Sequence, residues 1–152
     1  MKKTINKTNN YIEVYVSDET MSHMKAHSDV SFEHIKEAIS KIDLDKKSTF
    51  LMTNVDLKKN IGKDNCVLIN SEDDVRLEQR PNRKGLTPVV YNREAEDTSL
   101  INIGVCVDDD GLWTLFTAFY GVLAPKEPWD ERLTENEREE SEAFWSTHAL
   151  VK

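Results

Sequence analysis

Two long apolar stretches joined by an acidic turn constrain this chain more than any other feature. The segment SLINIGVCV (99–107) leads through DDDG into LWTLFTAFY (112–120), and Asp110-Gly111 at the junction is a strong hairpin signal. Both stretches are rich in β-branched and aromatic residues, which favour strands. Both faces of the predicted hairpin are largely apolar, so we expect it to lie centrally in a sheet.

The turn length predicts which residues of this hairpin share a face. With four turn residues, one face would carry Ile101, Ile103, Val105, Val107, Leu112, Thr114, Phe116 and Ala118. The other would carry Asn102, Gly104, Cys106, Trp113, Leu115, Thr117 and Phe119. Asn102 and Thr117 could then hydrogen-bond a ligand beside Trp113. Alternatively, Thr117 is only a strand former.

The remaining patterns predict helices at the two ends of the chain and strands between them. Helices are expected near 18–27, at 32–42 from an Ile/Phe stripe, and at 135–150 after a Thr134–Glu137 capping box. Further strands are expected at 11–17, 49–55, 65–71, 75–79 and 87–91. This order predicts an α+β fold, a mainly antiparallel meander sheet with two N-terminal helices and one C-terminal helix.

The length of 152 residues suits one domain, residues 1–152. Within it, we expect residues 1–9 to be disordered and residues 122–152 to form a wrapping segment and the C-terminal helix. The segment 122–133 contains two prolines, which disfavour regular structure there.

Charge and hydropathy limit the classes of partner. The chain carries 28 acidic and 20 basic residues, a net charge of -8, which argues against general affinity for nucleic acid or anionic membranes. A local basic site remains compatible with that balance. No apolar run approaches the roughly 20 residues that span a bilayer, and the N-terminus lacks an apolar signal segment. We therefore expect a cytoplasmic protein without a membrane partner.

Motifs for cofactor or metal chemistry are missing from the sequence. Cys66 and Cys106 each lie inside an apolar strand pattern and are expected to be small buried residues, with no Cys/His zinc spacing around them. No GxGxxG, P-loop or GxSxG motif occurs. The sequence predicts no cofactor and no metal.

The R-x-E-x-R pattern is the sharpest candidate for a binding site. Arg76, Glu78 and Arg80 would lie on one strand face, and Arg83 and Lys84 follow in a loop. The surrounding cations would keep Glu78 ionised, and they could bind a phosphate or carboxylate. Alternatively, this is a solvated sheet face with weak cross-strand ion pairs.

Histidines supply the other candidate catalytic groups. His23 and His27 are four residues apart on the first predicted helix, so their side chains would share one face. One of them could act as a general acid or base; otherwise both are surface or packing residues. His34 is expected to be exposed, and His148 to pack beside Trp145 on the last helix.

The layout over residues 20–121 resembles one group of nucleases. A helix carrying histidines (SHMKAHSDVSFEHIKEAI), followed by a meander whose last hairpin contains LWTLFTAFYG, resembles the phage-type members of the barnase–EndoU–colicin–RelE group of metal-independent ribonucleases. The resemblance implies RNA cleavage through a 2′,3′-cyclic phosphate. It assigns the helix histidine to His23 or His27, the cationic position to Arg76, Arg80 or Arg83, and the hairpin hydroxyl to Thr117. Glu78 as the base is inferred from its charged neighbours.

The sequence thus leaves three functional hypotheses. The first is a domain that binds, and in its catalytic form cleaves, RNA or another anionic ligand. The second is a non-catalytic factor of immunity or antitoxin type, whose acidic surface meets a basic protein. The third is a small-molecule binder that uses the face with Trp113 and Thr117.

Overall fold

The computed structural model describes residues 2–27 and 30–152 and divides the chain into two compact units. The first unit comprises residues 1–62 and 97–123, and the second comprises residues 63–96 and 124–152. In chain order the elements are β1 (Lys2–Lys7), β2 (Glu13–Ser17), α1 (Asp18–His27), α2 (Phe32–Ile39), β3 (Phe50–Asp56), β4 (Gly62–Asp64), β5 (Cys66–Leu68), β6 (Val75–Gln79), β7 (Leu86–Val90), β8 (Glu96–Thr98), β9 (Leu100–Val107), β10 (Trp113–Tyr120), α3 (Glu135–Trp145) and β11 (His148–Val151).

The α+β class is confirmed, but the expectation of a single meander sheet is wrong. The described strands form a five-stranded sheet ordered β1-β2-β10-β9-β3, a four-stranded sheet ordered β5-β11-β7-β6 and the pair β4-β8. Two neighbouring pairs, β2 with β10 and β11 with β7, are parallel. Parallel neighbours require the chain to return from a distance, and no local pattern encodes that return.

Helices α1 and α2 cover one face of the first sheet. Ser31 caps α2 by accepting a hydrogen bond from the backbone N–H of Glu33 at 3.3 Å. Ile35 and Ile39 are fully buried, as the apolar stripe predicts. They pack in one core with strand residues that include Val14, Val16, Ile101, Ile103, Val105 and Leu115.

Residues 2–7 form a paired strand, whereas the polar composition led us to expect disorder. Lys2–Lys7 forms β1, which pairs antiparallel with β2. Ile5 joins the first core, and the Asn6 side chain donates to the Lys36 carbonyl at 2.8 Å. One buried isoleucine and a ladder of backbone hydrogen bonds offset the cost of ordering a segment whose composition is polar.

The β9–β10 hairpin is confirmed, but half of its predicted facing is wrong. Five residues, 108–112, separate the first pair Val107 and Trp113, so Trp113 and Leu115 lie on the core face. The Asp108 carboxylate stabilises this longer turn by accepting from the backbone N–H of Leu112 at 3.0 Å. A register shift between Leu115 and Thr117 then restores the predicted facing of Ala118.

The second unit has a small core of its own. Val67, Val90 and Ala149 are buried together in the four-stranded sheet. The predicted capping box of α3 is present: Thr134 accepts from the Glu137 backbone N–H, and Glu137 accepts from the Thr134 backbone N–H. Trp145 anchors the end of α3 by donating to the Pro125 carbonyl at 3.2 Å.

The last helix ends earlier than predicted. Instead of running to residue 150, α3 ends at Trp145, and His148–Val151 forms β11 between β5 and β7. Ala149 lies opposite Val67, and Val151 lies opposite Val90. Pairing with β5 on one side and β7 on the other satisfies the backbone hydrogen-bonding groups of these residues. One further turn of helix would leave their apolar side chains unburied. Among the described residues, no helix is long and apolar enough to cross a membrane.

Candidate functional site

In the second unit, the arginine pattern of β6 is neutralised by local partners. Arg76 lies 3.1 Å from an Asp74 carboxylate oxygen, and its guanidinium carbon lies 4.5 Å from the centre of the Tyr91 ring. Glu78 receives the Lys152 ammonium group at 3.4 Å. These contacts are largely exposed, and such pairs contribute little to stability. A phosphate would therefore compete with weak partners rather than enter an unpaired cationic cleft.

Arg80 has a different and more buried partner. Its guanidinium lies 3.3 Å from the carboxylate of Glu127, a residue that is itself buried. The same carboxylate accepts hydrogen bonds from the Thr87 hydroxyl at 2.7 Å and from the Trp129 indole N–H. Gly85 allows the Trp129 ring to lie against the chain, since a Cβ at that position would lie 2.1 Å from the ring. The cluster satisfies a buried charge and anchors the wrapping segment.

The basic side chains of the loop after β6 also contact groups within the second unit. The Arg83 guanidinium donates to the Asn82 carbonyl at 3.4 Å, and the Lys84 ammonium group lies 3.6 Å from Glu131. The Arg83 backbone carbonyl also accepts a hydrogen bond from the Gln79 side-chain amide at 2.9 Å. The five charged residues of the predicted site therefore lie in one segment of the second unit, each with a contact in that unit.

The predicted histidines belong to the first unit. His23 lies on α1 with an exposed side chain, whereas the side chain of His27 lies outside the described residues. Glu78 and Arg80 belong to the second unit. A single site that combines His23 or His27 with Glu78 and Arg80 stays a prediction.

The hairpin residues separate into a structural group and an accessible group. Trp113 is only 8% exposed and packs in the first core. The Asn102 side chain is fully buried, donates to the Gly121 carbonyl at 2.9 Å and accepts from the Asn54 amide at 2.9 Å. Both residues therefore hold the sheet together. Thr117 is half-buried on the opposite face of the sheet from the helices, beside Gly104.

That opposite face carries a phenylalanine cluster, defined here as Phe50, Phe116 and Phe119. The exposed fractions of these residues are 58%, 38% and 40%. The rings of Phe50 and Phe116 stack with 5.6 Å between their centres and 25° between their planes. A Cβ on Gly104 would lie 2.6 Å from the Phe116 ring, so the glycine leaves room for that ring. Large apolar side chains exposed together commonly mark a binding surface.

Polar groups occupy the other part of the same face. The Tyr15 hydroxyl donates to the Glu13 carboxylate at 2.6 Å, and this bond raises the pKa of Tyr15. Lys2 contacts Asp108 and lies 2.6 Å from Asp110. The Lys2 ammonium and the Leu112 backbone N–H hold the pKa of Asp108 well below its usual range. One lysine and three carboxylates thus lie on this part of the face.

Sequence reasoning missed this aromatic cluster because it placed Phe116 on the same face as Ile101, Ile103 and Val105, which are buried in the first core. The usable signal was the apolar character of both faces of the hairpin, since one apolar face is enough to form a core. Among the side chains that the structure describes, those of residues 2–24 and 30–152, no three from His, Cys, Asp or Glu are grouped so as to hold a metal ion.

Comparison with known proteins shows a structural likeness to a solved structure. No protein family matches the sequence, and no curated protein resembles it. The chain is similar in structure to a conserved hypothetical protein from Toxoplasma gondii ME49, with 12% identity and a TM-score of 0.49, over 80% of this chain and 83% of that one.

Proposed function

We propose that this protein binds single-stranded RNA on the open face of the first sheet, with bases stacked on the phenylalanine cluster. The observation that carries the proposal is the exposure of three phenylalanines on the face that the helices leave free. Aromatic side chains on an open antiparallel sheet are a common means of holding unpaired bases. Each such stack contributes about 1–3 kcal/mol and tolerates any base.

Stacking, rather than phosphate neutralisation, supplies most of the binding energy in this proposal. The first unit contains ten lysines and no arginine, against thirteen acidic residues. Lys46 and Lys47, exposed immediately before β3, are the cations closest in sequence to Phe50. A single-strand contact to one or two phosphates gives a slope of about -0.7 to -1.4 in log K against log salt. A shallow salt dependence is therefore part of the proposal.

Fluorescence anisotropy with labelled single-stranded RNA tests this function. Phe116→Ala and Phe119→Ala should each weaken binding about tenfold, the equivalent of about 1.4 kcal/mol. Leu77→Ala is the matched control, because Leu77 is an exposed apolar strand residue of the second unit. Equal affinity of all three variants and the parent chain would refute the stacking surface.

RNA cleavage, which the nuclease resemblance implies, has its own test. RNA labelled at its 5′ end would yield fragments with 2′,3′-cyclic phosphate ends in the absence of divalent metal ions. His23→Ala, Arg80→Ala and Thr117→Ala would abolish those products if these residues act as the nuclease resemblance implies. Binding without any product assigns the protein to the non-catalytic class.

A second candidate function is binding to a basic protein, and helix α3 favours it. The helix carries Glu135, Glu137, Glu139, Glu140 and Glu142, and the guanidinium of its one basic residue, Arg138, is engaged by the Pro128 and Asp130 carbonyls. Replacing Glu139, Glu140 and Glu142 with Gln should remove salt-sensitive binding to a basic partner. The same replacement should leave RNA binding by the phenylalanine cluster intact, which separates the two functions.

A further inference from the structure

Strand β3 forms one edge of the five-stranded sheet, and its outer side is unpaired within the described residues. The Val107 N–H donates to the Thr49 carbonyl and the Leu57 N–H donates to the Ser99 carbonyl. Antiparallel ladders alternate, so Leu51, Thr53 and Val55 also bond β9. The backbone groups of Phe50, Met52 and Asn54 therefore point away from the sheet, available to another strand.

The two edges of this sheet are built differently. The opposite edge, β1, has the sequence KKTINK, and its pairing with β2 is interrupted between Thr4 and Asn6. Lysines and irregular pairing are devices that prevent edge-to-edge association. Strand β3 has the sequence FLMTNVD, with no lysine or proline, and pairs with β9 without interruption over seven residues. The chain protects one edge and leaves the other able to pair.

We propose that β3 pairs with β3 of a second copy of this chain, antiparallel about a two-fold axis, to give a continuous ten-stranded sheet. The favoured register centres on Leu51, because it sets Phe50 opposite Met52 of the other copy. Moving the two-fold axis by one residue would set Phe50 opposite Asn54, a polar neighbour. Moving it by two residues would set Phe50 opposite Asp56, a charged neighbour. In the favoured register, the exposed Phe50 ring gains an apolar cross-strand neighbour beside it.

Charge complementarity at the strand ends supports a second copy as the occupant. The favoured register brings Asp56, at the end of each β3, towards the turn that carries Lys46 and Lys47 in the other copy. Among the described residues, neither of these two ammonium groups lies within 4 Å of a carboxylate, whereas those of Lys58 and Lys59 contact Asp56 and Glu37. Two-fold symmetry repeats the attraction at both ends of the strand pair.

The dimer is expected to be weak, since one strand pair buries a small area. We expect a dissociation constant of about 10⁻⁵ M. Sedimentation velocity of the full chain at several concentrations around that value should show a reversible monomer–dimer equilibrium. Hydrogen exchange of the unmodified protein adds a local readout: the amides of Phe50 and Met52 should gain protection only at high concentration. A chain that stays monomeric, or protection that does not depend on concentration, would overturn the proposal.

Edge variants then locate the interface. Met52→Lys places a lysine on β3, like the lysines that protect the edge strand β1, and should weaken the dimer at least tenfold. Thr4→Lys adds the same charge on the opposite edge strand and should leave the dimer unchanged. Circular dichroism establishes that both variants are folded. A dimer that survives Met52→Lys in a folded chain would place the interface elsewhere.

A charge exchange tests the register. Lys46→Asp and Asp56→Lys each place like charges together in a homodimer, so each variant alone should dimerise more weakly. An equimolar mixture restores opposite charges at both ends of the pair, and the heterodimer should recover the affinity of the parent chain. Failure of the mixture to recover while both variants remain folded would contradict the proposed register.

Discussion

The Tyr120 hydroxyl oxygen lies 2.6 Å from Nδ1 of His34 and accepts a hydrogen bond from the Ser31 backbone N–H at 2.9 Å. The phenol thereby joins the end of β10 to the first turn of α2. Its ring lies against Gly62, where a Cβ would be 2.4 Å from a ring carbon. His34, which the sequence suggested was exposed, is half-buried in this contact.

Removing that hydroxyl should destabilise the first unit. Tyr120→Phe leaves the Ser31 N–H and the His34 ring without their partner, which should lower the free energy of unfolding by about 0.5–1.5 kcal/mol. Urea denaturation followed by circular dichroism measures the change. Tyr11→Phe is the matched control, since Tyr11 is 83% exposed, and it should have no effect. Equal stability of the two variants would mean that the contact contributes nothing.

The buried Glu127 carboxylate should stabilise the second unit more than a surface carboxylate does. Glu127→Gln keeps the shape but removes the charge beside Arg80. Thr87 and Trp129 both donate to Oε2, so an amide oxygen that serves them leaves the amide NH2 group facing the Arg80 guanidinium, donor against donor. We expect a loss of about 1–3 kcal/mol in the free energy of unfolding, measured by tryptophan fluorescence in urea. Glu131→Gln alters an exposed pair with Lys84 and should cost less than about 0.5 kcal/mol. A reversed order of the two losses would contradict this assignment.

Acid should destabilise the protein partly through Asp108. Lys2, and after it the Leu112 backbone N–H, lowers the folded-state pKa of this carboxyl, as Arg132 and its backbone N–H do for Asp130. Because the pKa is lower in the folded state, the ionised carboxylate stabilises the fold fully at pH values above the unfolded-state pKa of about 3.9. That stabilisation is lost as the pH falls below this value. Unfolding in urea at a series of pH values from 7 to 2 measures this loss.

The variant Asp108→Asn isolates that contribution. It should be less stable than the parent chain at pH 7, and the difference should shrink as the pH falls below about 4. Asp109→Asn is the neighbouring control, because Asp109 belongs to the same turn and its side chain is exposed. A pH-independent difference between Asp108→Asn and the parent would rule out the ionic origin.

The Cys66 thiol should be nearly inert to alkylation in the folded protein. Burial, with a smaller contribution from the Asp64 charge, raises the pKa of Cys66 to about 12 from an ordinary value of 9.0. At pH 8 the reactive thiolate is then about a thousandfold scarcer than for an ordinary cysteine. Iodoacetamide labelling followed by peptide mass spectrometry should show slow modification that accelerates with pH. In urea the same peptide should label at the ordinary rate, and fast labelling of the folded chain would contradict burial.

The sequence anticipated structure well wherever one short segment contains the whole cause. The stripe of Ile35 and Ile39 predicted the buried side of α2, and the Thr134–Glu137 box predicted the start of α3. The Asp110-Gly111 signal predicted the β9–β10 hairpin. Caps, stripes and tight turns act between residues a few positions apart, so they can be recognised without knowing the fold.

The candidate site was predicted less well than these elements. Arg76 and Arg80 lie on and just after β6, as predicted. The partner of Arg80 is Glu127, 47 residues away in the chain, and the partner of Glu78 is Lys152, 74 residues away. The exposure of Phe116 depends on a one-residue register shift and on the bare backbone of Gly104. Neither feature has a signature in a local pattern.

The sequence by itself determined the α+β class, the central hairpin, the helix stripes and the acidic balance of the chain. Only the tertiary structure decided that the strands separate into different sheets, that HALV becomes strand β11, and that the arginines of β6 are paired. It also decided that three phenylalanines and the edge of β3 stay exposed. The physical reason is that distant strands pair according to the total burial and hydrogen bonding of the whole fold, a balance that no single stretch of sequence contains.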